Sequence, residues 1–208
     1  MKNLPKLIKL VELTRNQPQY GYALAGIPKG EQSDLAQHHY LVSFIAWQLA
    51  RAVNRDGGDI DVEKVLEFAM IHDLGELFGG DINFFYGRVN PEAKKHAKAF
   101  EAENAKFLSD FFGEDKEHYE QLAEEILDAK SDECIVAKVA DYVECINYKL
   151  MSSSISKIDM PVTLEGIEKM LSRTENESLK KTITSFIEEW QKSLGDNDTL
   201  GIIWEKKK

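Results

Sequence analysis

From about residue 3 to residue 194, apolar side chains return every three or four positions, the period of an α-helix. No stretch of useful length alternates as a strand would. A chain patterned in this way buries its apolar stripes by packing helix on helix. The spacing predicts helices over about 3–16, 33–55, 61–77, 91–113, 117–129, 132–150, 162–173 and 176–194. Several carry start or stop signals. Asn90-Pro91 offers an N-cap followed by proline at the first helical position. Ser131 precedes Asp132 and Glu133, which suit the positive end of a helix. Thr174 and Glu177 have the spacing of a capping box, and Gly57-Gly58 and Gly79-Gly80 close the second and third helices. Segments 17–32, 78–90 and 151–160 read as irregular. The expected fold class is all-α. The chain's 208 residues are within the range of one domain, so the expectation is a single helical bundle over 1–208.

Composition narrows what such a bundle could do. A net charge of -10 argues against a broad nucleic-acid or anionic-membrane surface, both of which demand clustered positive charge. A small anionic substrate stays open, because a metal and a few local cations can hold a phosphate against an unfavourable overall field. No stretch approaches the roughly 20 apolar residues of a membrane span, and the charged N-terminal segment MKNLPKLIKLVELTR lacks the apolar run of a signal peptide. Cys134 and Cys145 fall in one predicted helix, about 16 Å apart at 1.5 Å per residue, too far for a disulfide. They read as buried small hydrophobes in a reducing compartment, which points to the cytoplasm. In the tail LGIIWEKKK, Trp204 beside two isoleucines suits packing onto the body or a dimer contact.

Three helices each direct a metal-competent polar group inward. His38 shares a face with Val42, Ile45 and Leu49, while His39 turns away with Ser43. His72 continues the stripe of Val65, Phe68 and Ala69, with Asp73 bordering it and Glu76 one turn on. Asp141 sits among Val136, Val139, Ala140, Val143 and Ile146, with Lys138 three residues before it as a local partner. Buried carboxylates and imidazoles need compensation. Histidines hydrogen-bonded to carboxylates in the core would satisfy each case alone; one divalent ion would satisfy all of them. Two imidazoles and two carboxylates, without cysteine, suit a catalytic rather than a structural ion and do not choose among Co, Mn, Ni, Fe, Zn and Mg.

The order His38, His72-Asp73, Asp141 resembles the H…HD…D signature of the HD-domain metal-dependent phosphohydrolases. The segments AQHHYLVSFIAWQLA, AMIHDLGELFGGDI and VAKVADYVECINYKL are similar to the 5′-deoxynucleotidase-like branch, over about residues 20–150, with less distinct C-terminal helices over 160–195. The resemblance implies a bundle of the HD type and one divalent ion on His38, His72, Asp73 and Asp141. The implied activity is release of phosphate from (deoxy)nucleoside 5′-monophosphates, and a homodimer is implied by analogy. It also implies that Glu76 positions or deprotonates the attacking water and that Asp81 protonates the leaving 5′-oxygen. Three departures stand out. Members of that branch carry a phosphate-orienting arginine, often beside tryptophan, upstream of the first histidine; GYALAGIPKGEQSDLAQHH has none. Tyr22 stands near the aromatic position, and Lys29 is the nearest cation, with Arg88 a second candidate. Gln37 replaces a glutamate, and Ile82-Asn83-Phe84-Phe85 would reshape the base pocket around Ile82. Two alternatives stay open: an HD hydrolase of another nucleotide (cyclic, triphosphate or alarmone) and a non-catalytic nucleotide sensor.

Overall fold

The computed structural model describes residues 2–80, 82–195 and 198–206. Eleven α-helices form among them: α1 Leu4–Val11, α2 Tyr20–Leu24, α3 Leu35–Arg55, α4 Val62–Ile71, α5 Phe84–Val89, α6 Pro91–Ser109, α7 Lys116–Asp128, α8 Asp132–Met151, α9 Asp159–Leu171, α10 Glu177–Ser193 and α11 Thr199–Glu205. No strand forms among the described residues beyond one isolated antiparallel bridge, Pro18 to Asp34, so the fold is all-α.

Helices α3, α4 and α8 pack against one another and α10 closes against α3. Their shared core joins Val42, Ala46, Leu49 and Val53 of α3 to Val65 and Ala69 of α4 and to Val136, Val139, Ala140 and Val143 of α8. The same cluster takes in Ile167 of α9 and Leu179, Ile183 and Ile187 of α10. Phe68, on the adjoining face of α4, meets Leu122 and Ile126 of α7 and Cys134 of α8. Both cysteines are free, Cys134 buried and Cys145 half-buried.

Local chemistry sets the boundaries. Asp34 caps α3 through Gln37 N, Asn90 caps α6 through Ala93 N, and Ser131 caps α8 through Cys134 N, the last two as the sequence predicts. Thr174 does not form the expected capping box. The N-cap of α10 is Asn176, whose side chain accepts from Leu179 N, while Thr174 donates to Asp132 at 2.5 Å and accepts from Asn176 N. Helix α9 begins at Asp159 rather than after Pro161, because a proline in the first turn removes no helical hydrogen bond. The expected continuous helix over 61–77 instead stops at Ile71. A 3₁₀ turn, Leu74–Glu76, follows, and beyond it the chain turns at Gly80, whose φ of 72° suits a residue without Cβ.

Candidate metal centre

That early stop shapes the site. His72 leaves α4 as its C-cap residue, and its Nδ1 hydrogen bonds Ala69 O at 2.9 Å, satisfying a carbonyl that the helix end would orphan. A carbonyl only accepts, so Nδ1 carries the proton and Nε2 turns its lone pair inward. His38, in the first turn of α3, faces the same way. Its Nδ1 lies 2.6 Å from Glu144 Oε2 of α8, and Tyr22 donates its hydroxyl to that same oxygen at 3.1 Å. A charged carboxylate only accepts, so here too Nδ1 holds the proton.

The two Nε2 atoms are 3.1 Å apart. Asp73 Oδ2 lies 3.4 Å from His38 Nε2 and 3.3 Å from His72 Nε2. Asp141 Oδ1 lies 3.3 Å and 3.9 Å from the same two nitrogens. Ligands of one ion with bonds of about 2.0–2.2 Å stand about 3–4.4 Å apart, so this spacing fits a single divalent ion. Two neutral imidazoles would press lone pairs together at 3.1 Å; a cation or an extra proton between them is required. His38, His72 and Asp141 therefore come together as the sequence predicts, with Asp73 at their edge.

The charge state points the same way. Burial favours the neutral form of His38, but hydrogen bonds to Asp141, Asp73 and Glu144 override it and raise its pKa well above the ordinary value. Burial opposes ionisation of Asp73, yet His72 and His38 hold it well below the carboxylate range. Asp141 is likewise depressed, with Lys138 and His38 outweighing burial. Lys138 Nζ stands 3.3 Å from Asp141 Oδ2, the local pairing expected from their spacing. Burial lowers the pKa of His72, although Asp73 and Asp141 act to raise it, so its ring favours the neutral form that a metal ligand needs.

The other predicted residues are placed as follows. Glu76 is buried in the 3₁₀ turn immediately after Asp73. Gly75 precedes it where α6 comes closest: a Cβ there would meet Glu101 Cγ at 2.4 Å, and Asn104 donates to Gly75 O at 2.6 Å. Tyr22 is buried, its ring 4.5 Å from that of Tyr148 and tilted to it by 35°, and reaches the site from behind His38 through Glu144. Lys29 is exposed on a separate 3₁₀ turn, Ile82 is half-buried against Gly87, and Arg88 pairs with Glu165. Asp81 lies outside the described residues.

Sequence reading missed three neighbours. Glu144 is one turn beyond Asp141; a carboxylate in the apolar stripe of α8 was the available signal. Gln19 donates to Asp73 Oδ2 at 3.1 Å from the irregular segment before α2, where no periodicity points to it. His39 does not turn away to solvent: it is 8 % exposed, its ring 4.9 Å from that of His72. Burial lowers its pKa to about 3.

The all-α bundle thus brings together two imidazoles and two carboxylates that could hold a metal ion. The chain belongs to the HD-domain family, whose model matches residues 14–188. It is 30 % identical over 128 residues to a 5′-deoxynucleotidase of Vibrio cholerae, covering 54 % of this chain and 61 % of that protein. It is 24 % identical over 172 residues to a 5′-deoxynucleotidase of Pectobacterium atrosepticum, covering 78 % and 82 %. A conserved hypothetical protein of Pyrococcus furiosus superposes with a TM-score of 0.69 at 28 % identity, over 90 % of this chain and 98 % of that one.

Proposed function

We propose that the chain is a divalent-metal-dependent phosphohydrolase that releases phosphate from nucleoside 5′-monophosphates, deoxynucleotides foremost. The observation that carries this reading is the 3.1 Å approach of His38 Nε2 and His72 Nε2, each lone pair fixed inward and flanked by Asp73 and Asp141. Family membership and relatives named 5′-deoxynucleotidase support the substrate class. When bound, a divalent ion there supplies Lewis acidity to the phosphoryl oxygens and acidifies water.

The chain's own residues divide the remaining work. Glu144 and the Ala69 carbonyl hold the two histidines in the Nδ1–H tautomer. Glu76 takes the proton of the attacking water, and Asp81 returns one to the leaving 5′-oxygen, an otherwise poor alkoxide. Lys138, beside Asp141 and partly solvent-accessible, supplies the cation for the phosphate that Lys29 and Arg88 do not. Gln19 donates one hydrogen bond to Asp73, without arginine's charge or fork.

This reading treats 1–208 as one HD-type domain and places it in the cytoplasm, in keeping with two free cysteines. No described helix is long and apolar enough to cross a membrane. A homodimer is part of the same analogy, and Leu200, Ile202, Ile203 and Trp204, all exposed, offer apolar surface for it. The direct test is Glu76→Ala. It should leave metal bound at one ion per chain and lower kcat by at least about 100-fold. Substantial turnover at full metal content would defeat the assignment.

A further inference from the structure

His39 is the one imidazole at this centre that the four-residue set does not use. It is 8 % exposed, and its Nε2 is buried without a hydrogen-bond partner. Ser43, one turn along α3, does not satisfy it, since Ser43 Oγ is itself buried and unpartnered. Buried polar atoms are nearly always satisfied, so an unsatisfied ring nitrogen calls for an explanation. Donor atoms of His39, His72 and Asp73 all lie within 4.8 Å of one another, just as those of His38, His72 and Asp141 do. The two triads share His72. Its Nδ1 is committed to Ala69 O, leaving Nε2 as its one nitrogen for a metal. Both triads therefore describe one ion rather than two.

We infer that His39 is a fifth protein ligand of that ion, completing a set of three imidazoles and two carboxylates. The inference rests on the proposed metal site and extends it. Donors on one ion are separated by about 4.4 Å at most, and His39 meets His72 and Asp73 within 4.8 Å, so binding would draw its ring toward those two ligands. A fifth protein donor would leave such an ion less room for water and substrate than the four-residue set does. Three nitrogens also bias the site toward Zn, Co, Ni or Fe and against Mg, which prefers oxygen.

The test uses the full chain stripped of metal, with all five of its histidines resolved by long-range ¹H–¹⁵N NMR during zinc titration. Three Nε2 resonances, those of His38, His39 and His72, should move together to metal-bound values at one equivalent. His39→Gln should weaken Zn and Co binding by at least about 10-fold and alter the visible spectrum of the cobalt form, with Mg binding little changed. Ser43→Ala should change none of these. Movement of His38 and His72 alone, or unchanged affinity and cobalt spectrum in His39→Gln, would overturn the inference and leave the metal site standing. No movement of any histidine would overturn both. The wild-type titration decides even if His39→Gln does not fold.

Discussion

Replacing Glu144 by glutamine removes one negative charge from behind His38 while keeping the side chain's size and an oxygen able to accept from His38 and Tyr22. Glu144 Oε2 lies 2.6 Å from His38 Nδ1, so an ion on Nε2, across the ring, would stand about 7 Å from it. A charge of −1 and one of +2 at that separation interact by about 5 kcal/mol at an effective dielectric of about 20. Not all of that is lost. Without the ion, the carboxylate is held dehydrated against a histidine that takes up a proton in the ion's stead, so glutamine relieves part of a cost in that state too. Outer-shell partners of ligating histidines typically change metal affinity 10- to 100-fold, about 1.4–2.8 kcal/mol, and the expected loss falls there rather than at the Coulomb figure. Competition of zinc or cobalt between the protein and a chromophoric chelator near neutral pH measures it, with urea denaturation of the metal-free variant recorded alongside. A folded Glu144→Gln protein whose affinity stays within twofold of wild type would refute the claim that this carboxylate tunes the centre.

Two further outcomes are expected. Asp159 accepts from Lys149 Nζ at 2.6 Å and from Ser156 N at 2.7 Å, with side-chain exposures of 12 % for Lys149 and 3 % for Asp159. Asp159→Asn should cost about 3 kcal/mol in urea denaturation at neutral pH by leaving Lys149 unpaired. Burial would raise the Asp159 pKa, but Lys149 and Ser156 hold it below the ordinary value, so its contribution is present above about pH 4 and fades as pH falls through the lower folded value. The gap between wild type and variant should therefore narrow in acid; a gap that widened would contradict the pairing. Gly75→Ala should destabilise the protein by about 1–3 kcal/mol, because its Cβ would meet Glu101 Cγ at 2.4 Å. It should also reduce turnover more than metal affinity by displacing the turn that carries Glu76, whereas wild-type stability and kcat would show that α6 yields freely.

The long helices were legible because period and caps agree. Helix α8 was expected over 132–150 and runs Asp132–Met151 behind Ser131; α3 was expected over 33–55 and runs Leu35–Arg55. The inward aim of His38, His72 and Asp141 followed from the same periodicity. Helices α2, α5 and α11 have five to seven residues, too few turns for a period to emerge. The stop after Ile71 has no glycine or proline to announce it; tertiary contacts around His72 and Gly75 override a helical pattern there. Periodicity turns His39 away because it stands about 100° around the helix from His38. Helix α3, however, is enclosed by α4, α8, α10 and the N-terminal 3₁₀ turn, so its buried arc is wide enough to take both histidines.

The central claim is a single divalent ion on His38, His72, Asp73 and Asp141 that drives phosphate release. The most direct measurement strips the protein of metal and follows phosphate release from ribo- and deoxyribonucleoside 5′-monophosphates as cobalt, manganese, magnesium or zinc is titrated back, beside a His72→Ala and an Asp141→Ala protein. The account predicts no release without metal, activity that saturates near one ion per chain with a preference for deoxynucleotides, and none in either variant. Release that persists in the stripped protein, or an inert wild type that has rebound one ion, would contradict it.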